Sequence, residues 1–304
     1  MSVIPTSGSA ELDVGGRRLA LTNLDRVLWP AAGFSKGQML EYYAAVAPAL
    51  LPHVAERPLT LGRFPAGVDG RGFAQNECRG RPDWLATAAL PLRSGELRQY
   101  CVVNDLPSLL WVANQNTIEL HPYLAHRVRP KEPTAVVFDL DPERPADLIA
   151  CCEVALLLRE ELGRAGLEAF VKTSGAAGLH VLVPLNASHA YDETKAFARA
   201  LARQLAAEHP DRVVSTQRRS ARRGKVLVDW LQNDPMRSTA AVYSLRATSW
   251  PLVSTPITFD EVEEATARRK QERLLFKPAD VLDRLERFGD LFAPANTLVQ
   301  TLPR

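Results

Sequence analysis

The chain has 304 residues and a formal net charge of +2, with 24% charged and 46% hydrophobic residues. A chain of this length buries a sizeable core without covalent staples, in one large domain or two smaller ones. Near-neutrality excludes a protein that coats nucleic acid by bulk positive charge, but it leaves room for basic residues gathered in one place.

Up to about residue 131 the signals are mixed. Residues 35–51 predict a helix, capped by Ser35, with Met39, Tyr42, Tyr43 and Val46 on one face. Residues 65–82 read as a glycine-rich loop containing Phe73, and residues 97–103 and 117–120 as strands. A loop rich in basic residues and proline, 126–133, leads into a clearly patterned centre.

Residues 135–138 predict a strand. A helix follows from Pro145, a favoured first-turn residue, with Leu148, Cys152, Ala155, Leu158 and Leu162 at helical spacing and Gly163 or Gly166 at its end. Residues 169–173 and 179–184 read as strands joined by the glycine-rich turn 174–178. Residues 192–208 form a helix with Phe197, Leu201 and Leu205 on one face, and residues 226–230 a fourth strand. The order β-α-β-β-α-β is the ferredoxin-like unit also used by RNA-recognition modules, with the first strand central between the third and fourth. Residues 258–276 and 278–288 read as tail helices.

The four cysteines, Cys78, Cys101, Cys151 and Cys152, contain no C-x-x-C pair. They are neither a disulfide framework nor a zinc-ligand set, so the chain reads as a reduced, intracellular protein. The start of the chain lacks the pattern of a signal peptide. The longest stretch free of Asp, Glu, Lys and Arg, residues 173–191, is interrupted by Gly175, Gly178, His180, Pro184, Asn186 and His189, so no membrane span is expected.

The chemistry concentrates in the centre. Asp139 and Asp141 share one face of an extended strand, and two carboxylates so close favour a proton or a cation between them. Hard oxygen ligands of this kind suit Mg²⁺ or Mn²⁺. Asp-x-Asp alone is also an ordinary turn feature. Asp229 sits inside an apolar strand placed next to the first, where it completes a three-carboxylate cluster. The turn at Ser174, Gly175 and Gly178 suits an anion, and His180 leaves it toward the carboxylates. Arg218, Arg219, Arg222, Arg223 and Lys225 form a basic run that reads equally as a solvated loop or as a grip on a nucleic-acid backbone.

Three segments together carry a resemblance: Phe-Asp-Leu-Asp-Pro at 138–142, Ser-Gly-Ala-Ala-Gly-Leu-His-Val at 174–181, and Val-Asp-Trp-Leu-Gln-Asn at 228–233. They resemble the three motifs of archaeo-eukaryotic primases and, more narrowly, the polymerase domain of the bacterial end-joining ligase LigD and its stand-alone relatives. The likeness runs from Leu12 to the C-terminus, through residues 21–30, 57–61, 243–246 and 253–256. No ligase or phosphoesterase motif accompanies it.

The resemblance implies an α+β archaeo-eukaryotic primase fold, with the ferredoxin/RRM-like βαββαβ unit packed with an N-terminal α/β part. It implies one polymerase domain over 12–304, with an N-terminal part to about 131, a catalytic part over about 132–250 and a helical tail. Asp139, Asp141 and Asp229 would hold two divalent ions, Mn²⁺ or Mg²⁺. Ser174, Gly175, His180, His121 and Arg246 would contact an incoming nucleoside triphosphate. Arg26 and Lys36 would hold a DNA 5′-phosphate at a gap or break, with Phe73 and Arg222 as further DNA contacts. The implied activity is template-directed nucleotidyl transfer that prefers ribonucleotides, in the bacterial cytosol and nucleoid, with Ku and a separate DNA ligase as partners.

Two departures stand out. A Phe-Phe-x-Lys segment common in the family reads Phe73-Ala74-Gln75-Asn76 here, and a lysine of the second motif is Ala177. They predict altered end-bridging or gap preference. The competing readings are a catalytically weak module that binds DNA ends or gaps and recruits repair partners, and a metal-dependent nuclease using the same carboxylates.

Overall fold

Ala135–Pro142 (β1) is the strand on which the centre of the chain is built. It runs past the predicted end at 138 because both of its edges stay paired: Leu179–Pro184 (β3) on one side and Val226–Asp229 (β4) on the other. Val136, Phe138 and Leu140 are fully buried on one face, and the two-residue alternation sends Asp139 and Asp141 to the other. The computed structural model describes residues 4–92 and 94–303.

The β-α-β-β-α-β order is observed. β1 leads to Leu148–Arg164 (α1), then Phe170–Thr173 (β2), β3, Tyr191–Glu208 (α2) and β4. The sheet order is Val213–Val214, β4, β1, β3, β2, Pro256–Ile257, so β1 lies between β3 and β4 as expected, with two short edge strands added. Asp147, not Pro145, starts α1, because its carboxylate accepts from the Ile149 and Ala150 amides. Gly166, at φ 72°, ends it, with Leu167 N–H reaching back to the Leu162 carbonyl. On α2 the buried face is Tyr191, Thr194, Ala198, Leu201 and Leu205; Phe197 is only half-buried.

These elements belong to a unit comprising Leu124–Thr239, Ser254–Phe276 and the chain from Asp290 onward. A second unit comprises the chain up to Tyr123 with Ala240–Val253 and Lys277–Gly289. In it, Ser35 caps the helix Lys36–Val54 in a reciprocal capping box with Gln38. The strand Pro58–Arg63 pairs with Phe73–Gln75, Leu97–Val102 and Thr117–Pro122. The stretch read as a loop at 65–82 therefore contributes a strand carrying Phe73. Asp105 starts a further helix, Leu106–Asn114, through a capping box with Ser108. The predicted tail helix at 258–276 breaks into Phe259–Arg268 and a 3₁₀ turn, with Arg269 left-handed between them, while Pro278–Phe288 is helical as expected.

The cysteine reading needs correction. Cys78 and Cys101 form a disulfide with Cα atoms 4.9 Å apart, while Cys151 and Cys152 are buried thiols. Spacing did not reveal the pair because strand pairing creates it: the Cys78 amide donates to the carbonyl of Gln99, two residues from Cys101. Among the described residues no helix is long and apolar enough to cross a membrane.

Candidate active site

Strand register does the first part of the positioning. Asp139 of β1 is directly opposite both His180 of β3 and Asp229 of β4, and His180 is directly opposite Lys172 of β2. Directly opposed residues of antiparallel strands point to one face, so Lys172, His180, Asp139 and Asp229 form a row across four strands. Asp141, two residues along β1, shares that face.

The row is electrostatically graded. His180 Nε2 lies 3.3 Å from Asp139 Oδ1, and Gln232 donates to Asp139 Oδ2 at 3.1 Å. The other ring nitrogen, His180 Nδ1, meets the Thr239 hydroxyl at 3.2 Å, so the imidazole is held from both sides. Lys172 is buried, and its ammonium donates to Ser254 Oγ at 2.6 Å. Burial alone would raise the Asp139 carboxyl, but the charge and hydrogen bond of His180, helped by Gln232 and Lys172, hold it below the ordinary range. Asp229 goes the other way: burial and the charge of Asp139 push it up against the hydrogen bond from Leu231 N–H.

The donor chemistry fits a divalent cation. All three carboxylates are hard oxygen ligands, and a cation would relieve the repulsion between Asp139 and Asp229. Among the described residues no three His, Cys, Asp or Glu side chains converge as a metal-binding group. Each carboxylate is turned to a protein donor instead: Asp139 to His180 and Gln232, Asp229 to Leu231 N–H, and Asp141 toward Arg222 at 3.8 Å.

Two residues set the register behind the row. Asn233 is fully buried; its Oδ1 accepts from Val137 N–H at 2.9 Å, and its Nδ2 donates to the Val137 carbonyl at 2.7 Å. The side chain thus replaces a strand partner for β1 just beyond the end of β4. Gly178 enters β3 against β1 so closely that an added Cβ would lie 2.0 Å from the Leu140 carbonyl oxygen. In the turn before it, Ser174 Oγ accepts from the Ala176 and Gly178 amides, and Gly175 takes φ 71°. Those two amides therefore serve the turn itself rather than pointing outward at an anion.

Arg222 is not an exposed member of the basic run. Its side chain is 15% exposed and lies 3.8 Å from both Asp141 and Glu143, whereas Arg218, Arg219 and Arg223 are exposed. The remaining sequence-predicted residues lie in the second unit. His121 and Arg246 meet through Glu119, at 2.8 Å and 3.0 Å. Lys36 is buried and donates to the Thr22 carbonyl at 2.8 Å, while exposed Arg26 donates to the Pro65 carbonyl. Phe73 is 48% exposed, with the Arg63 guanidinium 5.7 Å from its ring centre. Sequence reading passed over Arg63, Glu119, Lys172, Gln232, Asn233 and Thr239. Gln232 and Asn233 lie inside the third motif and Glu119 inside the Glu-Leu-His-Pro segment that carries His121, while the others carry no local signal.

A family model described as the LigD primase-polymerase domain matches residues 35–292. The multifunctional non-homologous end joining protein LigD of Mycolicibacterium smegmatis is 38% identical over 280 residues, covering 91% of this chain and 36% of the relative. The corresponding protein of Mycobacterium tuberculosis is 36% identical over 284 residues, covering 90% of this chain and 36% of the relative. The chain thus spans about a third of the length of these curated relatives. Among solved structures, the polymerase domain from Mycobacterium tuberculosis ligase D in complex with DNA matches with a TM-score of 0.86 at 34% identity, over 93% of this chain and 99% of that one. The expected α+β primase-type fold is borne out by that match.

Proposed function

Because the chain belongs to the LigD primase-polymerase domain family, we propose that it is a template-directed nucleotidyltransferase that fills gaps or extends ends in DNA repair and prefers ribonucleotides. The observation that carries this reading is the row in which Asp139 stands directly between His180 and Asp229, with Asp141 on the same face. Asp139, Asp141 and Asp229 would hold two divalent ions, Mn²⁺ or Mg²⁺, which when bound neutralise the charge of the triphosphate and of the leaving pyrophosphate. His180, pinned between Asp139 and Thr239, is oriented toward the same face as a nucleotide contact. His121 and Arg246 are proposed as nucleotide contacts, as are Ser174 and Gly175 through the turn they build.

DNA is the proposed macromolecular ligand, and the solved relative, which is in complex with DNA, supports it. Arg26 and Lys36 are proposed to hold a 5′-phosphate, with Phe73 stacking on a base. Ku and a separate DNA ligase are proposed as partners on family grounds. A gapped duplex carrying a 5′-phosphate, supplied with Mn²⁺ and ribonucleoside triphosphates, is expected to be extended. Absence of both extension and nucleotide binding would overturn the reading, and DNA binding without extension would favour an end-binding role.

Lys36 adds a pH signature. Burial, with the charges of Arg26 and Arg63 adding to it, lowers its ammonium to about 8. In the unbound protein Lys36 therefore loses its proton as the pH rises through that value, and binding a phosphate dianion must restore it. The preference for a 5′-phosphorylated gap over a 5′-hydroxyl gap is expected to fall about fivefold from pH 8 to pH 9. Fluorescence anisotropy on the two duplexes measures it; Lys36→Met should flatten the dependence, and a constant ratio in the unaltered protein would count against Lys36 as the phosphate ligand.

A further inference from the structure

Glu119 joins two of the proposed nucleotide contacts. Its Oε1 accepts from Arg246 Nε at 3.0 Å and from the Ala247 amide at 2.9 Å, while its Oε2 lies 2.8 Å from His121 Nε2. We propose that Glu119 is a positioning residue for nucleotide binding: one oxygen clamps the Arg246 guanidinium, and the other fixes the His121 ring with its proton on Nε2. The inference rests on the polymerase reading above for what His121 and Arg246 contact.

Three features support the clamp. The first is charge: burial alone would raise the Glu119 carboxyl, but the hydrogen bond from His121 and the charges of Arg246 and His121 hold it at about 2. An ionised carboxylate only accepts hydrogen bonds, so His121 Nε2 must donate, and Nδ1 is the ring atom left to meet a ligand. The second is room. Gly62 is the strand partner of Glu119, and a Cβ there would stand 2.8 Å from Glu119 Cβ and 3.3 Å from its Oε2. The third is rigidity. The Leu120 amide donates to Ser244 Oγ, the Ala241 amide donates to the Leu120 carbonyl, and Tyr43 accepts from the Leu245 amide. The strand carrying Glu119 and the segment carrying Arg246 are therefore tied together next to the clamp. A structural ion pair would need only the arginine. Here the second oxygen is committed to a histidine whose side chain is still 20% exposed, in reach of a ligand.

Glu119→Gln keeps the shape and reverses one donor. Its carbonyl oxygen can still serve Arg246 and Ala247, which turns the amide NH₂ toward His121 Nε2 and forces the ring proton to Nδ1. Ring ¹⁵N spectra of the protein without metal or nucleotide, at a pH where the imidazole is neutral, should show Nε2–H for His121 in the unaltered protein and Nδ1–H in the variant; His121→Gln identifies the signal. In gap extension the variant should raise the nucleotide KM about tenfold or more, with affinity for gapped DNA unchanged. An Nδ1–H ring in the unaltered protein would overturn the proposal whether or not the variant folds. So would a folded variant with unchanged tautomer and KM. If the unaltered protein extends no primer, the polymerase reading falls, while the spectra still decide the clamp.

Discussion

Asp139→Asn is expected to reduce nucleotide incorporation on gapped DNA by about a thousandfold or more while leaving the fold intact. Asp139 has partners on both flanking strands, His180 through Oδ1 and Asp229 through register. Its side chain is 18% exposed, so the carboxylate sits where solvent screens charge weakly. Asparagine keeps the volume and the hydrogen bond from Gln232 but removes the negative charge on which cation binding depends.

The stability terms oppose one another. The folded-state carboxyl of Asp139 lies below its ordinary value, so its ionisation stabilises the protein above the unfolded pKa, and that contribution is lost as pH falls through the folded one. Removing the charge forfeits this contribution, yet it also relieves Asp229, whose carboxyl Asp139 helps to push up. The net change in melting temperature should be small. Single-turnover extension and a thermal melt, run together, test both halves. Incorporation above about a tenth of the unaltered rate would remove Asp139 from the catalytic group.

The part of the molecule legible in the sequence is the part governed by local period. β1, α1, β2, β3, α2 and β4 each announce themselves by alternation or helical spacing, and their order alone places Asp139 beside Asp229. What the sequence hid depends on register between distant segments. Thr239 reaches His180 across 59 positions, and Arg246 reaches Glu119 across 127. The Cys78–Cys101 bridge arises in the same way. Charge clustering says nothing of where Arg222 turns: its guanidinium lies 3.8 Å from both Asp141 and Glu143. Short strands such as Phe73–Gln75 were lost because three residues give too little alternation to separate them from a glycine-rich loop.

Gly178→Ala should be among the most damaging single-methyl changes in the chain. The glycines of the 174–178 turn first suggest an anion-binding loop, but the backbone gives Gly178 a different task. The added Cβ would lie 2.0 Å from the Leu140 carbonyl oxygen, far inside contact distance, and the obstacle is main chain that cannot swing aside as a side chain would. Leu140 sits between Asp139 and Asp141 and is the strand partner of Leu179, so the methyl group must drive the start of β3 away from the carboxylate segment of β1. The same movement pulls on the hydrogen bonds that Gly178 exchanges with Ser174 and separates His180 from Asp139. The expected loss is about 3 kcal/mol or more, which for a chain of this size lowers the melting temperature by about 5 °C or more. Extension activity should fall with it even below the melting range, because the displaced pair is the centre of the row. Gly163→Ala is the matched control. That glycine lies within α1 with nothing within 4 Å of its would-be Cβ, so alanine there should stabilise the protein by about 0.5–1 kcal/mol. If Gly178→Ala melts and extends primers like the unaltered protein, the approach of β3 to Leu140 is not what aligns His180 with Asp139.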